Sequence, residues 1–329
     1  MKAKIKLAIL SGGPSAEKEV SLKSAQVLMD NVDTNKYEAF LVDISSIPWQ
    51  SKGKDGVVAD VDLNTFGIKG KEAFDFAFLA IHGTPAEDGK LQGYFDLLNI
   101  PYSACSVLAS AITFDKDITK QLLQNINIPM ANSVLLTKWN YSLDKINADL
   151  SYPVFVKPNK NGSSYGVSKV KQEAELAAAI EQAFQFDDEV LVEEFIEGRE
   201  LACGIMEDQG DLVCFPITEI STENEFFDFE AKYLGKSSEV TPAPISDEQR
   251  DRCFDWTKKI FKHLKLSGTA RVDYFLKGDT FYLLEVNTIP GLSAASLLPQ
   301  QAVAHGFSLA HFFDSIITNA MGNTNNLSR

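Results

Sequence analysis

The chain has 329 residues, enough to bury a sizeable core and, on ordinary domain sizes, to fold as two or three domains with a cleft between them. Its 45 acidic and 31 basic side chains leave a formal net charge of -14, which argues against a nucleic-acid or anionic-membrane binder but not against one nucleotide held by a local group of lysines. Cys105, Cys203, Cys214 and Cys253 form no CxxC pair and read as buried thiols of a reducing compartment; without a signal-like or membrane-spanning apolar run, a cytoplasmic location is expected.

In chain order, Ile5 to Leu10 has the character of a short buried strand and runs into the break Ser11-Gly12-Gly13-Pro14, after which Val20, Leu22, Ala25 and Leu28 recur at helical spacing. A second strand is expected at Phe40 to Ile44 and a third at Phe74 to Ile81, ending on His82-Gly83 before a helix carrying Leu91, Phe95 and Leu98. Strand, glycine turn and helix in repetition predict a parallel α/β sheet with ligand-facing loops at the strands' carboxyl ends. Thr113 to Asn125 is predicted as one amphipathic helix on Phe114, Ile118 and Leu122, stopped by Pro129. A strand at Pro153 to Pro158, a Gly/Ser loop at Asn159 to Ser164, a strand at Gly166 to Val170, a helix at Gln172 to Phe184 and a strand at Val190 to Ile196 follow. Glu197-Gly198 reads as a junction, glycine supplying backbone freedom between two apolar strands. Strands near Leu201 to Met206 and Leu212 to Glu219 precede a polar stretch running to Glu248, which is either a segment covering a site or a plain surface loop. Arg252 to His263 is predicted helical, Ala270 to Leu276 and Thr280 to Val286 form a strand pair across Lys277-Gly278-Asp279, and a last helix spans Leu309 to Ala320 before a frayed Asn-rich tail.

The pattern richest in chemistry is Ala270-Arg271-Val272-Asp273 with Leu284-Glu285-Val286-Asn287. Residues two apart on a strand share a face, so pairing with these faces aligned brings two carboxylates and an amide oxygen together beside a guanidinium. Such oxygens suit magnesium, which completes its octahedron with water and phosphate; patterning alone equally allows carboxylates facing solvent. Lys157 closes the apolar run from Pro153 just ahead of Asn161-Gly162-Ser163-Ser164-Tyr165-Gly166, whose amides could cradle phosphate while the lysine adds a point charge. That loop lacks the GxxxxGK[ST] spacing, and Gly12-Gly13 lacks that of a dinucleotide fingerprint, so an ordinary surface loop is the competing reading. Gly12, Gly13, Ser15, Glu17 and Ser21 sit where helix amides favour an anion, or where Ser15 or Ser21 caps the helix. His82, at a strand end, is open to a structural or a functional reading.

The runs Gly12-Gly13-Pro14-Ser15-Ala16-Glu17-Lys18-Glu19-Val20-Ser21 and His82-Gly83-Thr84-Pro85-Ala86-Glu87-Asp88-Gly89, the stretch from Lys157 to Gly166, and Arg271-Val272-Asp273 with Glu285 to Gly291 together resemble the D-alanine--D-alanine ligase family of the ATP-grasp superfamily. They occur in the family's order and cover nearly the whole chain. The resemblance implies an ATP-grasp fold, α/β and α+β, with an amino-terminal Rossmann-like domain. Its units would be an α/β substrate-binding domain at 1–104, a central ATP-grasp subdomain at 105–196, and a carboxyl-terminal ATP-grasp and catalytic domain at 197–329, in a homodimer. It further implies ATP-dependent joining of two D-alanine molecules through a D-alanyl phosphate for peptidoglycan precursors, with two magnesium ions that manganese can replace.

By motif position, Lys116, Lys157 and Lys232 resemble phosphate contacts, Ser164 part of the phosphate-covering loop, Glu193 and the backbone at Ile196 adenine contacts, and Glu200 a ribose contact. Asp273, Glu285 and Asn287 correspond to the metal holders. Glu17 resembles the residue that binds the first D-alanine's ammonium and links through Ser163 to Tyr233. Arg271 and the amide of Gly291 resemble an oxyanion-stabilising pair, Ser296 a ligand of the second carboxylate, and His82 a wall of the first-substrate pocket. Ala86 and Ala295 depart from the family pattern without removing a charged group, which puts loop shape in question more than the reaction. The Lys232-Tyr233 pair resembles the form in ligases that make D-alanyl-D-alanine. Acceptors D-lactate or D-serine, or a nucleotide-binding regulatory protein without turnover, are the alternatives; retention of Arg271, Asp273, Glu285 and Asn287 opposes the last.

Overall fold

Three β-sheets gather the apolar runs of the chain in the computed structural model, which describes residues 3–15, 17–222 and 237–327. The first comprises β1 (Ile5–Ser11), β2 (Tyr37–Asp43), β3 (Gln50–Gly53), β4 (Val58–Asp62), β5 (Gly67–Ile68) and β6 (Phe76–Leu79), in the order β5-β4-β3-β2-β1-β6. Successive residues of β1 serve opposite faces: Leu7 and Ile9 enter one core and Ala8 and Leu10 another, so the strand reads as a continuous apolar run. Only β1–β2 and β1–β6 are parallel; β3, β4 and β5 extend the sheet antiparallel. The three strands expected from the sequence thus do pair in parallel, and the antiparallel β3 to β5 are an extension the sequence reading did not include, the connection from Asp43 to Gln50 being too short for a crossover.

At the end of β1, Gly12 and Gly13 take left-handed backbone (φ 83° and 94°) and lead into α1 (Lys18–Asn31). Neither serine caps this helix. Ser21 Oγ accepts from the Gly12 amide at 2.9 Å and donates to the Ala80 carbonyl at 2.7 Å, fastening the turn to the end of β6. Ser15 Oγ accepts from the Glu17 amide, which precedes the first turn.

After α2 (Lys90–Leu98), the single helix expected over Thr113 to Asn125 is two, α3 (Val107–Phe114) and α4 (Lys116–Gln124). Asp115 has extended backbone, and its carboxylate accepts from the Ile118 amide, so it ends one helix and caps the next. The break sets Lys116 against the Asn159 carbonyl.

The second sheet, all antiparallel, runs β7 (Ser133–Thr137), β10 (Glu189–Glu194), β8 (Val154–Pro158), β9 (Ser168–Val170). Helix α5 (Leu143–Asp149) and α6 (Glu173–Ala183) cover it, Leu176 and Ile180 packing with Val154, Val156, Val190 and Val192. Strand β7 and α5 were not legible in the sequence.

The third sheet has the order β14-β13-β11-β15-β16, from β11 (Arg199–Asp208), β13 (Thr218–Thr222), β14 (Ser237–Val240), β15 (Thr269–Lys277) and β16 (Thr280–Asn287), with β12 (Asp211–Cys214) beside β11. The strand expected at Leu212 to Glu219 is thus two. Helix α7 (Asp247–His263) starts earlier than expected because Ser246 and Gln249 form a capping box. It buries Cys253 and Ile260 with Leu201, Cys203 and Tyr274, and α3 and α4 contribute Ala109 and Leu123 to the same core. On the other side, α8 (Leu297–Ala304) and α9 (Leu309–Leu327) bring Leu298, Phe312 and Phe313 against Met206 and Phe215 as well as Leu7, Ile9 and Phe78. The first and third sheets therefore share one core. All four cysteines are buried and unpaired with one another.

Gly198 has no left-handed backbone; its place is set by close approach, since a Cβ would lie 2.8 Å from the Leu276 carbonyl oxygen. Gly198→Ala should therefore destabilise the protein by about 1–3 kcal/mol in urea unfolding. An unchanged midpoint would remove this steric role.

Candidate active site

Strands β15 and β16 align as the sequence pattern requires: Arg271 pairs with Asn287 and Asp273 with Glu285 before the register shifts after Asp273. Directly opposed residues of antiparallel strands share a face, so these four side chains project together. On the other flank Ala202 pairs with Asp273 and Glu200 with Phe275, which puts Glu200 on that face too.

The Arg271 guanidinium makes two bonds to the Asp273 carboxylate, from Nε at 2.8 Å and from a terminal nitrogen at 2.7 Å, and Asn287 Nδ2 donates to Asp273 Oδ2 at 3.0 Å. Burial would depress the Arg271 pKa, yet Asp273 more than offsets it and holds the group protonated. Two carboxylates and an amide are the hard oxygen set that magnesium takes, so the residues present fit such an ion. No group of three or more His, Cys, Asp or Glu side chains suited to a metal occurs among the described residues.

Lys157 Nζ lies 2.5 Å from Glu193 Oε2, and Lys120 Nζ lies 2.6 Å from Glu193 Oε1 and 2.7 Å from the Ala131 carbonyl. Burial pushes the Glu193 pKa up, but the two ammonium groups outweigh it and place it at about 2. Lys116 Nζ donates to the Asn161 carbonyl at 2.6 Å; burial lowers its pKa, against the attraction of Glu285. The loop it supports has left-handed backbone at Ser163, Ser164 and Gly166. Ser163 Oγ donates to the Glu17 carboxylate, joining this loop to the turn after β1.

Two cavities meet here. Lys116, Lys157, Ser164, Glu193, Ile196 and Glu200 line the first, together with Asp273. Glu17, His82, Asn287, Gly291 and Ser296 line the second, together with Glu239 from β14. Gly162, Ser163, Arg271 and Glu285 belong to both walls. His82 is buried, which lowers its pKa; its Nδ1 donates to the Ile289 carbonyl at 3.2 Å, leaving Nε2 as an acceptor with no hydrogen-bond partner among the described residues. Ser296 Oγ exchanges a 2.8 Å hydrogen bond with Ser293 Oγ.

Every residue given a role by motif position thus lies on these two walls if it is among the described residues, whereas Gly12, Gly13, Ser15 and Ser21 of the first turn do not, and Lys232 and Tyr233 fall outside the described residues. Ala86 has ordinary backbone and is fully buried, so its methyl group fits where it stands. Sequence reasoning missed Lys120, Glu87 and Glu239. Lys120 follows Lys116 by one helical turn, a spacing that would have placed both on one face. Glu87 lines the second cavity, where burial, reinforced by Glu17, pushes its carboxyl up to about 8. Glu239 was hidden in the polar stretch before α7.

Family models described as the D-ala D-ala ligase N-terminus and C-terminus match residues 6–105 and 122–318. A D-alanine--D-alanine ligase of Bacteroides fragilis is 43% identical over 318 residues, covering 95% of this chain and 98% of that protein. Among solved structures, the VanG D-Ala:D-Ser ligase from Enterococcus faecalis superposes with a TM-score of 0.87 at 33% identity, covering 97% of this chain and 100% of the other. The D-alanine--D-alanine ligase from Bacillus anthracis complexed with ATP gives 0.80 at 32% identity, with 98% and 99% covered.

A carboxylate whose pKa is lowered on folding stabilises the fold above its ordinary value of 4.5, and the contribution is lost as pH falls toward about 2. Glu193→Gln should remove on the order of 3 kcal/mol of acid sensitivity from that window. Unfolding free energies of the two proteins that fall in parallel from pH 5 to 2 would contradict the Glu193 environment.

Proposed function

This chain belongs to the D-alanine--D-alanine ligase family, and on that footing we propose that its first cavity binds ATP and its second binds two D-alanine molecules. The reaction is ATP-dependent, ADP-forming ligation to D-alanyl-D-alanine for peptidoglycan synthesis. One observation carries the assignment of cavities: Arg271, Glu285 and Ser163 belong to both walls, so a γ-phosphate in the first can meet a carboxylate in the second.

The first D-alanine's carboxylate attacks the γ-phosphorus, giving D-alanyl phosphate and ADP; the second D-alanine's amine, after losing a proton, attacks the acyl carbon, and the tetrahedral intermediate expels phosphate. Lys116 and Lys157 offset phosphate charge, with Ser164 and its neighbours covering the triphosphate. Glu193 and the backbone at Ile196 hold the adenine and Glu200 the ribose. Lys120 keeps the buried Glu193 ionised and in position. Asp273, Glu285 and Asn287 would hold the two magnesium ions, which would supply positive charge to offset that on the phosphate groups. Glu17, braced by Ser163, binds the first ammonium beside His82; Arg271 and the Gly291 amide stabilise the oxyanion, and Ser296 takes the second carboxylate. Lys232 and Tyr233 are assigned by motif position alone, as a phosphate ligand and as the end of the Glu17–Ser163 network.

The domain limits 1–104, 105–196 and 197–329 belong to the same proposal, each unit holding one sheet. A homodimer is proposed with support from Leu97 and Leu108, exposed on the neighbouring helices α2 and α3. A cytoplasmic site of action fits the reaction; among the described residues no helix is long and apolar enough to cross a membrane.

Incubation with ATP, magnesium and D-alanine in competition with D-lactate, D-serine and L-alanine should yield D-alanyl-D-alanine as the dominant product by mass. Dominant D-alanyl-D-serine would transfer the assignment to the acceptor of the VanG ligase, and absence of any ADP-coupled product would refute ligation. Arg271→Ala should lower kcat by about 10²–10³-fold, as loss of an oxyanion donor does, with ATP affinity by equilibrium titration changed only a few-fold. A loss confined to ATP affinity would make Arg271 a nucleotide ligand instead.

A further inference from the structure

We propose that Glu239 recognises the ammonium group of the second, incoming amino acid and thereby selects an α-amino acid over the corresponding α-hydroxy acid. The inference rests on the ligase reading above and adds a residue to the Lys232-Tyr233 pair in setting its acceptor class.

Sheet register places this side chain. Glu239 on β14 pairs with Ile220 on β13, Ile220 with Glu200 on β11, and Glu200 with Phe275 on β15. The row runs on one face, the face that carries Asp273 and Arg271 two and four positions along β15 from Phe275. Glu239 accordingly lines the second cavity with Gly291, Ser296 and Arg271, the cavity that Glu17 and His82 also line.

Charge explains why a carboxylate belongs there. A free α-amino acid arrives as a zwitterion, and its ammonium must approach an acyl group beside the Arg271 guanidinium, which repels it. The other acids of the cavity have partners or roles elsewhere. Asp273 is bound by Arg271 and Asn287, Glu17 accepts from Ser163, and Glu285 faces Lys116 and the phosphate side. Glu87 lies with Lys116, Glu285 and Asn287 on the phosphate side. Glu239 lies in the same cavity as Arg271, whose charge it feels, and takes one hydrogen bond from the neutral Gln300 side chain, which leaves its charge uncompensated by a bonded cation among the described residues. Its negative charge offsets the guanidinium for an ammonium-bearing acceptor and offers nothing comparable to a neutral hydroxyl. A single such charge-assisted contact corresponds to about tenfold or more in discrimination.

Glu239 is exposed on a strand edge, so Glu239→Gln and Glu239→Asp should fold. Each protein is given ATP, magnesium and limiting D-alanine, first with hydroxylamine and then with D-lactate. Hydroxylamine attacks the acyl carbon, expels phosphate and gives D-alanyl hydroxamate, reporting donor activation without an acceptor carboxylate or ammonium. In Glu239→Gln the ratio of dipeptide rate to hydroxamate rate should fall about tenfold, and the D-alanyl-D-lactate to D-alanyl-D-alanine ratio should rise by a similar factor; Glu239→Asp should recover part of both. Ratios unchanged in an active Glu239→Gln protein, or a KM for the acceptor that falls, would overturn the role of Glu239 alone. A parent protein that forms hydroxamate but no dipeptide, or neither, would overturn the ligase reading and this inference with it.

Discussion

The bidentate pairing of Arg271 with Asp273 on one strand, locked in register with Asn287 and Glu285 on the next, is the constraint on which the rest of the cleft depends. Four polar groups share a face of a sheet whose opposite face is packed with Leu201, Cys203, Val272 and Tyr274. A slip of one residue would turn them into that core and bring apolar side chains into the cleft, so hydrophobic burial enforces the register. A buried guanidinium and carboxylate held together in this way keep the charges fixed where a phosphoryl group is proposed to move, which reduces reorganisation during the reaction.

A second electrostatic unit faces the first from the central sheet. Glu193 sits between Lys157 and Lys120, and the three side chains tie β10 and β8 to α4. Removing any one would strand charge in a buried setting, where the cost is far greater than on the surface. The Lys116 ammonium rests on the Asn161 carbonyl at the start of the Gly/Ser loop. Positive charge and loop backbone are therefore positioned together, as a phosphate-binding wall requires.

Packing determines how the substrate wall meets the nucleotide wall. Helix α9 buries Phe312 and Phe313 against residues of both the first and third sheets, and Leu292 donates its amide to Ser24 Oγ on α1. Ser163 reaches across to Glu17, and His82 bonds the Ile289 carbonyl just beyond β16. Pieces distant in the chain are thereby held in contact by a continuous apolar core with a few buried hydrogen bonds at its rim.

The sequence by itself determined the elements with strong period and punctuation: β1 with its glycine turn, the helices at α1 and α6, and the β15–β16 pair with its alternating charged face. Residue spacing was sufficient there because a strand's two-residue repeat fixes which side chains share a face. It was insufficient for the antiparallel extension β3 to β5, whose strands are short, mix polar with apolar residues and draw their order from neighbouring strands, and for the break at Asp115, where a side-chain cap overrides an amphipathic pattern. Lys120 and Glu239 carry no motif that distinguishes them from ordinary surface charges. Only the tertiary structure decided that one lies on a buried carboxylate and the other in the substrate cavity, because charge acquires its meaning from what desolvates and faces it, and those neighbours come from distant parts of the chain.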